Sequence, residues 1–430
     1  MTNTSKNNYG SAMWIIGILF FIFGFVTWLN GPLITFVKLA FNLDTDSKAF
    51  WVTTAFYMAY FFLALPSSWI LEKTGMKKGM AIGLLVMAVG TFIFGTFATQ
   101  RQYTICLTGL FIIGSGLSLL QTASNPYISI IGPIETAAKR ITIMGICNKV
   151  AGILSPIILS YFVLKDINQL QDKVNSATTG LQKEIILNDF ASQIYLPYMS
   201  MAVILIVLAF WILKSKLPDI KTYEDNVSDE VSTATKTSIF QFPHLWLGVL
   251  CLFVYVGVEV FAGDGIVSYG ADLGLIQGIT IGFLNLSVPF TSFTLFFMLL
   301  GYIIGLFTVP KVFSQEKALL ISAISGIIFI FASYLTTGYT SVIFIALLGL
   351  SNAIMWPAIF PLAIYSLGKF TEKGSALLIM GIVGGAVIPK LYAHLKVIIP
   401  FQNAMLLIIL PCYIYISFYA AAGYRTGLKK

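Results

Sequence analysis

"LLQTASNPY", residues 119–127, sits inside a run without any charged residue that extends from Thr104 to Ile134. Five of its nine residues (Gln121, Thr122, Ser124, Asn125 and Tyr127) carry hydrogen-bonding side chains. A run of that length and apolarity reads as a helix that crosses a bilayer, whose hydrocarbon core takes roughly 20 residues of helix. Polar groups inside hydrocarbon are costly unless they face protein or a water-filled space. Gln121 and Asn125 are four apart, so they share one helix face. The stretch therefore predicts a membrane helix with a polar face turned to the interior of a bundle.

The rest of the chain agrees. Of 430 residues, 57% are hydrophobic and 10% are charged, and the mean hydropathy is +0.87. A soluble domain of this size needs far more charge to cover its surface. Twelve apolar runs are long enough to span, near 14–38, 49–72, 79–98, 104–134, 141–164, 194–213, 245–271, 280–309, 317–336, 341–367, 375–395 and 401–424. The first is too long for a signal-peptide core and lacks a small-residue cleavage site. The expected fold is an all-α membrane protein with twelve transmembrane helices in two pseudo-symmetric halves.

Two polar segments interrupt the spans. Residues 165–193 read as an external loop, and residues 214–244 as a cytoplasmic linker. The linker separates an N-terminal six-helix bundle, 1–213, from a C-terminal one, 245–430. Lys and Arg gather on cytoplasmic loops. With the N-terminus inside, 17 fall on the cytoplasmic side and 8 outside, with Lys149 within a span. Both termini are thus expected in the cytoplasm. The same bias explains the net charge of +8 without a nucleic-acid partner.

An internal repeat relates the halves. "NPYISII" and "MGICNKVAGILSP" in the fourth and fifth spans are echoed by "WPAIFPL" and "MGIVGGAVIP" in the tenth and eleventh. The prolines 126 and 357 are offset by 231 residues and the methionines 144 and 380 by 236. Repeats in the same orientation are a pattern of transporters whose halves rock about a central site.

The buried polar residues nominate that site. Asn352 and Trp356 repeat the spacing of Gln121 and Asn125. Asn30, Asn148 and Asn285 fall in the first, fifth and eighth spans. Amides beside an indole face suit a hydroxyl-rich ring, which needs paired donors and acceptors and packs its C–H face on an aromatic. Each amide could instead tie neighbouring helices together. Glu259, in "YVGVEVFAGDG", is an acidic residue at mid-span, and a buried carboxylate must be paired or protonated. Asp264, nearer the outer end, is either a second coupling group or a solvated residue at the mouth. Lys149 either snorkels to the cytoplasm or pairs with Glu259. The glycines of "MGIVGG" (381, 384 and 385) allow close helix contact. Cys106, Cys147, Cys251 and Cys412 lie in separate apolar runs without zinc-ligand spacing, so neither a metal site nor a disulfide framework is expected.

"PSSWILEKTGMKKGM" is a degenerate form of the loop signature of the major facilitator superfamily. "FFIFGFVTWLNGPLI", "LLQTASNPYISIIGP", "GICNKVAGILSP" and "SNAIMWPAIFPLAI" with "LGKFTEKGSALLIMGIVGGAVIP" resemble the fucose–galactose–glucose:proton symporter family, over about residues 14–425. The glucose/galactose branch is the more similar one. The resemblance implies a rocking twelve-helix fold, a central monosaccharide site and a bacterial inner-membrane location. In the L-fucose:proton branch a first-span Asp and a fourth-span Glu act in proton coupling and sugar binding. The matching positions here are Gly31 and Gln121, so both carboxylates are missing, while the fifth-span Asn is kept as Asn148.

The expected function is hexose import driven by a proton or sodium gradient, by one chain in the lipid bilayer. Gln121, Asn125, Asn148, Asn30, Asn285, Asn352 and Trp356 are the sugar-site candidates. Glu259, Asp264 and Lys149 are the coupling candidates. The alternatives are an uncoupled facilitator and an efflux carrier for another small molecule. No soluble effector domain supports a sensor, and no phosphate-binding loop supports ATP drive. No catalytic residue and no cofactor beyond the coupling ion is expected.

Overall fold

The computed structural model describes residues 3–130, 137–164, 167–215, 217, 238–275, 279–281, 286–309 and 311–428. Among them, twelve helical segments are long and apolar enough to cross a bilayer. The first is made of α1 (Asn3–Thr27) and α2 (Asn30–Ala40). After the short α3 (Asp46–Ala49) come α4 (Trp51–Thr74), α5 (Met76–Thr99), α6 (Tyr103–Ile130) and α7 (Ala137–Leu159), the last continuing as a π-helical turn, Ser160–Leu164. The expected external loop is itself helical, as α8 (Ile167–Ser176) and α9 (Gly180–Ser192), and leads into α10 (Tyr195–Lys214). The Thr179 hydroxyl caps α9 by accepting from the Gln182 amide at 3.3 Å, a local signal for helix. Of the expected linker, 216 and 218–237 lie outside the described residues.

The second part starts with α11 (Pro243–Val260), a π-helical turn (Phe261–Gly265) and α12 (Ile266–Asp272). Strands β1 (Ile279–Ile281) and β2 (Leu286–Val288) then pair antiparallel, Thr280 opposite Ser287. The helices α13 (Phe290–Thr308), α14 (Gln315–Tyr334), α15 (Gly338–Asn352), α16 (Met355–Ile364), α17 (Thr371–Met380), α18 (Gly384–Leu395) and α19 (Phe401–Ala421) complete the chain.

The eighth span corrects the expectation. It was placed at 280–309, but its helix begins at Phe290, behind the hairpin. Apolarity alone does not separate strand from helix. The β-branched residues Ile279, Thr280, Ile281 and Val288 favour the strand, and Pro289 biases the residue before it away from helix. In the fourth span, α6 runs uninterrupted through residues 125–127 to Ile130.

Proline decides where other spans break. Pro32 lacks an amide hydrogen and its ring crowds the carbonyl four residues back. That residue is Trp28, where α1 ends and a turn over Trp28 and Leu29 leads to α2. Pro357 stands in the same relation to Ala353, and the tenth span breaks at Ala353–Ile354, between α15 and α16. Both breaks free backbone groups near the centre of the bundle.

α1 packs on α7, α6 on both α4 and α5, and α10 on α5. In the second part, α11 packs on α18, α16 and α19, and α13 and α14 on α15. The two sets meet where α7 touches α13 and α4 touches α17 and α18. The outer faces are apolar and exposed, as at Val203, Val207 and Phe210 on α10 and Ile304 and Phe307 on α13. That surface suits lipid and would be a liability in water.

Two close approaches set the depth of the helices that carry the site. A Cβ on Gly24 would overlap the Asn148 carbonyl oxygen, and one on Gly384 would overlap that of Phe253. Helices in a membrane gain their contact by packing, so small residues at the crossing are needed. Gly24→Ala is expected to lower stability by about 1–3 kcal/mol, as overpacking does, read as the thermal midpoint in detergent. Gly180→Ala, where nothing lies within 4 Å, is the control and should leave the midpoint in place.

Candidate functional site

A cavity of about 120 Å³ lies between the two sets of helices. One water needs roughly 10–15 Å³ of such space, so the cavity has room for a small polar solute. Its walls come from both parts of the chain. α6 supplies Gln121 and Asn125, α7 supplies Asn148 and Lys149, α11 supplies Glu259, and α16 supplies Trp356.

The amides are placed to exchange hydrogen bonds. Gln121 Nε2 donates to the Tyr60 hydroxyl at 2.6 Å, and that hydroxyl keeps its own proton to donate. Asn148 Nδ2 reaches the Phe20 carbonyl only at 3.5 Å, the weak limit of such a bond. Asn125 lies on the same wall, half-buried. Aromatic rings supply much of the remainder: Phe20, Phe23, Trp28, Tyr57, Tyr60, Tyr255, Tyr302 and Trp356. Tyr57 and Tyr60 stack at 6.2 Å, and Trp356 stacks on Phe360 at 5.9 Å.

Lys149 does not snorkel. Its Nζ lies 3.1 Å from Glu259 Oε1, with the two side chains 7% and 12% exposed. The same ammonium stands 4.6 Å over the Trp28 ring. A desolvated cation gains from an aromatic face as well as from a carboxylate. Trp28 is wedged between Gly152 of α7 and Gly263 of the π-helical turn, where a Cβ on either would collide with the indole. The helix break at Trp28 thus places a ring against Lys149, the only lysine among the described residues that lines the cavity.

Other expected residues lie elsewhere. Asn30 is buried outside the cavity and donates to the Thr27 carbonyl at 3.1 Å, bracing the break in the first span. Asn352 is fully buried and accepts from the Tyr413 hydroxyl at 2.8 Å, joining α15 to α19. Asn285 lies outside the described residues. Asp264, one reading of which was a solvated mouth residue, faces no water: it is 0% exposed and does not line the cavity. The tyrosines at 57, 60, 255 and 302 were not among the sequence candidates. The i, i+3 spacing of Tyr57 and Tyr60 on one face was the available signal.

An ionic cluster outside the cavity lining links the two parts of the chain. Asp46 of α3 accepts from Lys38, Lys396 and Ser268. Lys396 also reaches Asp272 at 2.6 Å and Ser268 at 2.7 Å. Lys390 of α18 donates to the Ser47 carbonyl and stands 4.4 Å over Trp51. These contacts tie α2 and α3 to α12 and α18, from opposite parts of the chain.

The family model of the Major Facilitator Superfamily matches residues 16–389. A glucose/galactose transporter of Brucella abortus (biovar 1, strain 9-941) is 33% identical over 426 residues, which is 98% of this chain and 96% of that one. The L-fucose-proton symporter of Escherichia coli (strain K12) is 27% identical over 373 residues, 86% of this chain and 83% of that one. The crystal structure of a Major Facilitator Superfamily transporter, FucP, in the outward conformation matches with a TM-score of 0.72 at 25% identity, over 97% of this chain and 99% of that chain.

Removing one member of a buried ion pair strands the other and costs about 3–5 kcal/mol, whereas replacing both with apolar groups is often neutral. Lys149→Met is therefore expected to destabilise the protein strongly, and Lys149→Met with Glu259→Leu to recover most of the loss. Thermal unfolding in detergent of the two single variants and the double variant checks this. Simple additivity would mean that the two charges do not support each other.

Proposed function

The chain belongs to the Major Facilitator Superfamily, and from that premise we propose that it is a secondary active transporter that imports a monosaccharide of the glucose or galactose type together with a cation. The observation that carries this reading is the central cavity, with amides on one wall and aromatic faces on the others. Gln121, Asn125 and Asn148 offer donors and acceptors to the hydroxyls, and Trp356 offers its face to the C–H side of the ring. The names of the relatives, glucose/galactose transporter and L-fucose-proton symporter, support the same substrate class.

In this reading the six-helix halves, 1–213 and 245–430, rock about the cavity as one chain in the inner membrane, with both termini and the 214–244 linker in the cytoplasm. The ionic cluster around Asp46 then closes the outer side, and the cavity belongs to the inward-facing state. Coupling falls to the acidic residues of the seventh span, Glu259 and Asp264, with Lys149 as partner. A gradient can drive the cycle only if the cation binds the two states unequally. The second reading is an uncoupled facilitator. The Lys149–Glu259 pair favours it, since a carboxylate neutralised from within needs no ion.

Radiolabelled D-glucose and D-galactose uptake into reconstituted vesicles tests the two, with proton and sodium gradients imposed separately. Symport is expected to give uphill accumulation under one of them. Equilibration alone under both would leave the facilitator. Gln121→Ala and Asn125→Ala are each expected to weaken sugar binding by about 0.5–1.5 kcal/mol. Trp356→Phe is expected to remove much of the sugar-induced change in tryptophan fluorescence. Unaltered affinity in both amide variants would reduce those residues to helix contacts.

A further inference from the structure

Asp264 is a buried carboxylate outside both the cavity and the ion pairs of the described residues. It sits in the π-helical turn Phe261–Gly265, wholly buried, and neither carboxylate oxygen has a hydrogen-bond partner. It belongs to none of the ion pairs found among the described residues. The Gly31 amide is turned toward it, short of hydrogen-bond geometry. Across the seam, the place where a Gly31 Cβ would stand lies 3.2 Å from Asp264 Oδ1 and would overlap the Thr291 hydroxyl. Thr291, at the start of α13, is also fully buried with its hydroxyl unpartnered. Three elements thus meet in a polar cradle that glycine leaves open: α2, the π-helical turn and α13. The titratable groups facing Asp264 are Glu259 of α11 and Tyr57 of α4, and Lys149 is paired with Glu259.

We propose that Asp264 is a proton-binding site of this carrier, loaded while the seam between α2 and the π-helical turn is open and sealed when it closes. The proposal rests on the symport reading and divides its labour: Glu259 stays paired with Lys149 in the sugar cavity, and Asp264 carries the ion. A carboxylate that belongs to no ion pair is costly in such a place, whereas the neutral acid is not. The acid also gains an O–H that can donate to Thr291. One carboxylate and one hydroxyl are too few oxygens for a hard metal ion, which takes about six, but they suffice for a proton.

The seam lies where the halves must part. α2 packs on both the π-helical turn and α12, and α2 and α12 are joined by the Asp46–Lys396–Asp272 cluster. When that cluster opens, α2 withdraws and Asp264 meets water on that side. The O–H bond forms there with a proton from water. It breaks on the other side of the cycle, and the proton leaves by way of the cavity, which Tyr57 also lines.

The test uses the full chain in vesicles loaded with a pH-sensitive dye, with labelled D-glucose and D-galactose as probes. Sugar entry through the wild type is expected to acidify the interior. Asp264→Asn is expected to bind sugar with wild-type affinity and to exchange it between equally loaded sides. It should carry no proton with it and give no accumulation on a pH gradient, while Asp264→Glu retains both. Sugar-linked acidification at the wild-type level in Asp264→Asn would overturn the proposal. Should that variant fail to fold, Thr291→Val, close in shape but without the hydroxyl, carries the test. It is expected to shift the pH of half-maximal uptake, and an unmoved profile overturns the assignment. A wild type driven by sodium alone would overturn the proton site and leave symport standing. A wild type driven by neither gradient would overturn both.

Discussion

Hydrocarbon cannot solvate a polar group, and this constraint organises the molecule from the backbone outward. Lys149 and Glu259 show its effect most directly. Neither charge could stand alone at that depth, so each fixes the other at 3.1 Å, and the indole of Trp28 covers the lysine. The pair joins α7 to α11, from opposite parts of the chain, and so also sets the width of the cavity. Trp28 can occupy its position because Pro32 breaks the first span there and because Gly152 and Gly263 leave room for the ring. One electrostatic need thus draws in a helix break, two glycines and an aromatic face.

The same constraint explains what could be read in advance. Runs of apolar residues long enough to span have no alternative but helix in a bilayer, so all twelve spans were legible. The exception, the strands Ile279–Ile281 and Leu286–Val288, lies at the start of such a run, where strand and helix are equally apolar and only the β-branched residues and Pro289 give a local cue. Gln121 and Asn125 were legible because two amides on one face of a charge-free helix have few explanations. Asn30 and Asn352 fit the same rule, yet they serve the backbone break and the α15–α19 contact. A buried amide announces a partner without saying whether that partner is protein or guest.

The tyrosines were hidden for another reason. With 20 tyrosines and 35 phenylalanines in the chain, an aromatic residue in a span carries little information. Only packing shows that Tyr57, Tyr60, Tyr255 and Tyr302 turn to the cavity. Asp264 was legible as a residue but not as an environment. Its position near the outer end suggested water, and what removes the water is α2 lying against the π-helical turn, a contact between segments far apart in sequence. The family resemblance placed a carboxylate at the position of Gly31. Here that position is bare, and the acid beside it comes from the other half.

The repeat shows how a nearly symmetric scaffold yields an asymmetric site. With the offset of 231 that relates Pro126 to Pro357, Gln121 corresponds to Asn352 and Asn125 to Trp356. One repeat turns both amides toward the cavity or its wall. The other turns its amide away, to Tyr413, and presents an indole instead. The helix crossings are mirrored in the same way. In the first half the glycine is on α1, where Gly24 meets the Asn148 carbonyl, and in the second it is on α18, where Gly384 meets that of Phe253. With the offset of 236, Asn148 corresponds to Gly384, so the second half has no amide at the crossing where the first half has one. A sugar has a hydroxyl-bearing periphery and an apolar face, and it is matched best by unlike walls. Duplication supplies two walls in register, and the swap of glycine for asparagine, and of asparagine for tryptophan, makes them different.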